Sequence, residues 1–374
     1  MLLRHGCRFI LAALLLAGCA ASGPGGPEYL GGYARAIAWS PDGAVLVAVG
    51  RTDLHVFDGR SLTSRHTIAT LDPAAPYQVH RRAASLAFAR AGDLAATAAF
   101  DAGVTLWDAA TWQRALQIPA TQAISAVTFA GDSQQLVGAG ATGPLAIWDA
   151  RSGLRLATLL AEPSGVLTVA VSADGKWLAA GTLDGHVVLW DLPSRTVVAR
   201  SPVQPGGVLS VAFAPDGTHL ASSAQCVDVR LWDTQGGMTQ RPVIDVSRPS
   251  PAQTKGQALL GLAALVSNVA SFRSIHAPSG ALPSGGSYTP TQFDCQIAFS
   301  ADGALLGVVH HAEEFSGSYH TEVFEVASGA LLARMDKTMS GVAFRADGAL
   351  AATSGILHVI VFDPRSGVER ASVP

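Results

Sequence analysis

Apolar and polar positions alternate along this chain in short blocks, and the clearest block is residues 166–200. Residues 166–172 are almost continuously apolar, and Ala173-Asp174-Gly175 follows as a turn. A second run, 177–181, closes at Leu183-Asp184-Gly185; a third, 187–190, ends at Asp191; a fourth, 196–199, follows Pro193-Ser194. Each connection has the Asp, Gly, Pro or Ser chemistry of a tight hairpin. The spacing therefore predicts four short antiparallel strands. The inner runs are apolar on both pleat faces, so both sides of this sheet must be covered. A stack of similar sheets satisfies that demand, whereas one isolated sheet does not.

The same unit recurs. Trp107-Asp108, Trp148-Asp149, Trp190-Asp191 and Trp232-Asp233 stand at intervals of 41, 42 and 42 residues. Phe57-Asp58, Phe324-Glu325 and Phe362-Asp363 hold the same place in weaker copies. About 16 residues upstream of most of them lies a turn of the type Pro41-Asp42-Gly43, Ala173-Asp174-Gly175, Pro215-Asp216-Gly217, Ala301-Asp302-Gly303 or Ala346-Asp347-Gly348. A fixed period of this length marks a repeat architecture. The pattern resembles the WD40 repeat family over nearly all of residues 34–373. The resemblance implies an all-β fold, a seven-bladed β-propeller with radial four-stranded blades around a central channel. The Gly-His pair that this family often carries before the first strand is missing, which puts the usual His–Asp side-chain network in question.

Blade one falls at 34–71, blade two at 81–120, blade three at 121–161, blade four on the block above, blade five at 206–246, blade six at 293–335 and blade seven at 338–373. Blade five is expected to end in an outer strand at 243–246, and blade seven in its own outer strand at 368–373. Each blade is thus expected from consecutive sequence. Whether residues 28–32 also pair onto the last blade stays open.

Phe324 follows Trp232 by 92 residues, about 50 more than one repeat. The surplus, 247–292, is rich in Pro, Ser and Gly at both ends. Within it, 257–272 is a helical candidate: Leu259, Leu262, Val266 and Val269 recur at three- and four-residue steps. This mainly helical insert between blades five and six is read as a cap on the propeller rim or channel, as a partner-docking helix, or as a membrane-surface helix. Only Lys255 and Arg273 flank it, which weighs against the last reading.

The N-terminus belongs to another logic. Arg4 and Arg8 precede an apolar run at 9–17, too short for a span of about 20 residues but suited to a secretory signal. Leu16-Ala17-Gly18-Cys19 resembles the bacterial lipobox. That resemblance implies a lipoprotein signal peptide at 1–18, acylation of Cys19, and a Gly/Pro-rich tether at 19–33. Ala20 after the cysteine, rather than Asp, points to the outer membrane of a Gram-negative host, with the domain in the periplasm. Multiple acyl chains give durable anchoring where one is marginal. With Cys7 lost in the signal, the mature fold keeps Cys226 and Cys295. Cys226 lies in the loop between the second and third strands of blade five, and Cys295 starts blade six. The propeller implied by the resemblance puts both on one rim, so either a disulfide or two thiols that never meet is compatible with the sequence. A disulfide would close a long loop, worth about 4 kcal/mol by loop entropy.

Only 14% of the 374 residues are charged and 49% are hydrophobic, against a usual charged share of about 25%. Strands buried between blades account for that. The formal net charge of −3 makes no case for nucleic acid. Gly-rich phosphate loops, Cys-x-x-Cys and Gly-x-Ser-x-Gly are not found. His310, His311, Glu313, Glu314 and His320 gather near one long loop of blade six and are residue types that bind zinc. They have no fixed ligand spacing, so a solvated polar loop is the plainer reading. Asp53, Asp101, Asp184 and Asp228 precede third strands, either as an acidic ring or as ordinary turn residues.

The expected function is a non-catalytic scaffold for protein–protein contact in the cell envelope. It has no cofactor, acts as a monomeric propeller within a complex, and offers its insert-bearing rim to a partner. The alternative is a propeller enzyme or small-ligand or metal binder that uses the channel and the His310–His320 loop.

Overall fold

A computed structural model describes residues 36–50, 53–69, 83–99, 103–119, 124–140, 144–159, 164–224, 228–235, 237–241, 296–311, 319–349, 351–355 and 358–373. Blade one holds β1 (Ala36–Trp39), β2 (Val45–Val49), β3 (Asp53–Asp58) and β4 (Ser64–Ala69). Blade two holds β5 (Ala83–Phe88), β6 (Leu94–Ala99), β7 (Gly103–Asp108) and β8 (Arg114–Ile118). Blade three follows with β9 (Ala126–Ala130), β10 (Gln135–Ala139), β11 (Ala146–Asp149) and β12 (Arg155–Thr158). Blade four has β13 (Val166–Val171), β14 (Trp177–Thr182), β15 (Val187–Asp191) and β16 (Thr196–Arg200). Blade five has β17 (Val208–Phe213), β18 (His219–Ala224), β19 (Asp228–Asp233) and β20 (Thr239–Gln240). Then come β21 (Ile297–Phe299), β22 (Leu305–His311), β23 (Tyr319–Glu325), β24 (Leu331–Phe344), β25 (Ala351–Gly355), β26 (Val359–Phe362) and β27 (Glu369–Val373).

Each of the first five blades is an antiparallel meander of four strands in sequence order. Blades six and seven depart from this. β24 is outer strand to blade six in its first half and inner strand to blade seven in its second, so the two blades form one seven-stranded sheet. The link 335–340 contains neither Gly nor Pro, so nothing breaks the extended chain. The register slips between Thr338 and Val342 instead. The outer strand of blade five also differs from expectation: Thr239 and Gln240 pair with β19, upstream of 243–246, which lies outside the described residues.

The ring closes on itself. β1, β5, β9, β13, β17, β21 and the later part of β24 are successive neighbours, and β1 in turn lies against β24. Seven inner strands therefore surround the axis, and each blade is built from consecutive sequence. At the junction of blades seven and one, Ile37, Trp39 and Phe57 pack with Ala343, Ala352, Val359 and Val361. The Arg345 guanidinium sits 5.8 Å from the Trp39 ring and donates to the Gly59 carbonyl at 3.3 Å. Gly341 permits the approach of these blades: a Cβ there would come 2.7 Å from Ile37 Cγ2.

One repeated aromatic explains why the blades stack. Phe57, Trp107, Trp148, Trp190, Trp232, Phe324 and Phe362 are all buried, and each fills the seam with the blade before its own. Burying one such ring contributes about 2–3 kcal/mol. The sequence period of the aromatics is thus the angular period of the ring.

Candidate functional site

The acid after each aromatic begins the turn to the outer strand. Asp108 accepts N–H bonds from Ala110 and Thr111 at 3.1 and 2.8 Å, and Asp149 from Arg151 and Ser152 at 3.1 and 2.7 Å. Asp191 takes the Ser194 N–H at 2.9 Å, and Asp363 those of Arg365 and Ser366 at 3.0 Å. These bonds favour the charged form. The Thr111 N–H holds Asp108, the Ser152 hydroxyl Asp149, and the Ser194 hydroxyl Asp191 below the usual carboxylate range.

The turns between first and second strands use a second set of carboxylates. Asp42, Asp174 and Asp302 each accept from the serine two residues earlier, at 2.6, 2.6 and 2.5 Å. Those hydroxyls depress all three acids. The turns also touch one another. A Cβ on Gly175 would lie 2.8 Å from Gly131 Cα, and Arg90 of blade two donates to the Ala173 carbonyl of blade four at 2.6 Å. Asp42, Asp174 and Asp302 are thus committed to holding their own turns.

The signature residues do less chemistry than architecture, with one exception. Ser222, on β18, accepts the Trp232 indole N–H at 2.8 Å and bonds both ends of the Gln204 amide, at 2.9 and 3.1 Å. All three side chains are buried. Gln204 precedes the first strand of blade five, and its own N–H donates to Gly185 of blade four at 2.7 Å. A glutamine–serine–tryptophan chain therefore links the blades where the His-based network was in question. Blade two has the corresponding Trp107–Thr97 bond, 2.9 Å. Gly138 and Ala180 occupy the matching positions of blades three and four and offer no hydroxyl.

The remaining candidates separate. Asp53 and Asp228 open β3 and β19, four residues before their aromatics, whereas Asp184 lies in a turn six residues before Trp190. There Asp184 accepts from Thr182 at 2.5 Å and pairs with Arg200 at 3.3 Å. These acids therefore do not share one ring position; Asp101 lies outside the described residues. The histidines are strand residues rather than loop residues. His310 and His311 end β22, and His310 stands opposite His320 in the ladder. His320 Nε2 and Arg334 Nη1 both approach Glu322 Oε1, at 3.6 Å, and His320 and Glu322 are buried. Among the described residues no three His, Cys, Asp or Glu side chains gather as a metal site, and no helix is long and apolar enough to cross a membrane. Cys19, Cys226, Cys295, Glu313, Glu314 and the insert at 247–292 lie outside the described residues.

The family model of the WD domain, G-beta repeat, matches residues 153–191 and 199–233. Each match starts at the outer strand of one blade and ends at the third strand of the next, so a sequence repeat straddles two blades. Residues 153–233 thus carry WD40 repeats, set within a seven-bladed propeller. No curated protein matches the chain. All seven blades carry the buried aromatic, and blades one to five share the separate four-stranded order. The sequence signal that found the WD40 ring was the Trp-Asp period. The polar chain through Gln204 carried no comparable signal, because one glutamine in a Pro/Gly-rich link has no period to betray it.

Proposed function

We propose that this WD40 propeller is a non-catalytic scaffold for protein–protein contact in the bacterial cell envelope. It is held by lipid on Cys19 to the outer membrane, facing the periplasm, and acts as one ring within a larger complex. The observation that carries the reading is the closed ring itself. Seven seams are filled by buried aromatics, and turn carboxylates are spent on their own turns, so the surface is preformed and little ordering entropy is lost on binding. Propellers of WD40 type are in general platforms for protein contact and typically not catalysts. The lipobox-like Leu16-Ala17-Gly18-Cys19 supports anchoring, and the insert at 247–292 falls in sequence between blades five and six.

Two measurements test the reading. Growth with an alkyne fatty acid should label the wild-type protein, and Cys19→Ser should abolish the label and release the protein from membranes. Deleting 247–292 should reduce capture of envelope proteins while the ring still melts cooperatively. Unlabelled wild-type protein, or unchanged capture after deletion, contradicts the anchoring or the insert's role respectively.

A further inference from the structure

The outer edge of this propeller is not uniform. Six large hydrophobic side chains stand exposed among the described residues, and five belong to blades three and four and the link that follows. They are Leu154 (67% exposed), Leu156 (44%), Val197 (55%), Val198 (46%) and Val203 (59%); the sixth is Val368 of blade seven.

Edge chemistry differs in the same way. In six blades the third-to-fourth-strand ladder slips at the signature aromatic, leaving one extra residue on the outer strand. In blades one and seven that residue is Arg65 or Arg370, and its guanidinium pairs with its own cap carboxylate, Asp58 or Asp363. Those edges are polar and self-neutralised. In blades three and four the extra residue is Leu156 or Val198. The arginines move to Arg155 and Arg195, both exposed and neither with an ion pair or side-chain hydrogen bond among the described residues. The nearby carboxylates, Asp149 and Asp191, are engaged by their own turns.

We propose that the outer edges of blades three and four form a docking surface for an acidic segment of a partner protein that carries aliphatic side chains. The inference rests on the scaffold reading and adds to it a second surface, independent of the insert. Charge complementarity selects the occupant: free guanidinium groups beside exposed Leu and Val match carboxylates beside aliphatic groups, with Arg suited to paired carboxylate contacts. The bulges twist the strand edge and disfavour addition of a further strand, so recognition runs through side chains. A lipid surface fits less well, because these hairpins carry no Lys, Trp, Tyr or Phe at the exposed apolar positions, the residues that mark interfacial contact.

The test is photo-crosslinking in cells that make the full-length protein, with p-benzoylphenylalanine placed at Leu156, Val198 or Arg241, of which Arg241 stands just before the insert in sequence. The proposal expects Leu156 and Val198 probes to crosslink one protein, through a peptide in which Asp or Glu flanks aliphatic residues. Adding Arg155→Glu and Arg195→Glu should cut that yield at least tenfold, and Val368→Ser should not change it. Crosslinks from Arg241 alone would overturn this surface and leave the scaffold reading standing. No protein crosslinked from any of the three positions would overturn both. Crosslinks to lipid, or to a second copy of the chain, would overturn the acidic partner, as would a yield unmoved by the charge reversals. These exposed substitutions should leave the melting temperature within a few degrees of wild type, which separates lost docking from lost folding.

Discussion

Removing the Ser222 hydroxyl is the sharpest test of how the blades are tied. The hydroxyl is fully buried and serves two partners, the Trp232 indole N–H and the Gln204 amide. Ser222→Ala deletes one oxygen and leaves almost no cavity, so the packing loss is small. It strands a buried N–H and one amide group, each at about 1–3 kcal/mol, for a total of about 2–6 kcal/mol. Thr97→Val in blade two nearly preserves volume and strands only the Trp107 indole, so it should cost about 1–2 kcal/mol. Urea denaturation followed by tryptophan fluorescence and circular dichroism reads both. A Ser222→Ala/Trp232→Phe double variant should show a coupling of about 1 kcal/mol, since the partners share the hydroxyl. Equal costs for Ser222→Ala and Thr97→Val, or a cycle that sums to zero, would refute the three-residue chain as an energetic unit.

Gly185→Ala should destabilise far more than Gly348→Ala, because both have positive φ (89° and 68°) but only the first would press a Cβ to 2.2 Å from the Gln204 carbonyl oxygen. Strain alone costs about 1 kcal/mol, and the clash adds about 1–3, readable as melting temperatures. The capped carboxylates also set a pH dependence. Asp42, Asp108, Asp149, Asp174, Asp191 and Asp302 are depressed in the folded state, so their stabilisation is complete above the unfolded value of about 3.9 and is lost as pH falls through the lower folded values. The urea midpoint should be insensitive to these groups from pH 7 to about 5 and drop below about 4; a decline centred near pH 6 would contradict this. Elemental analysis of purified protein should find no stoichiometric metal that disappears on His310→Ala or His320→Ala, and an ion lost in those variants would favour the channel-ligand reading.

What the sequence made legible was what repeats. Trp107, Trp148, Trp190 and Trp232 announce the blade period because each indole must fill one seam, and the Asp-Gly turns announce strand ends because their backbone chemistry is local. Features that occur once were hidden. The fusion of blades six and seven through β24 depends on a link without a breaker, which reads like any polar connection. Gln204 meets Ser222 and Trp232 only after two blades come together. The outer edge of blades three and four was hidden for another reason: Leu156 and Val198 look like strand interior until a bulge turns them out.

Native mass spectrometry of the full-length protein, extracted gently from the cells that make it, tests the scaffold account most directly. It should show this chain bound in fixed ratio to at least one different polypeptide, and the bare chain alone, with no second protein at any extraction strength, would contradict it.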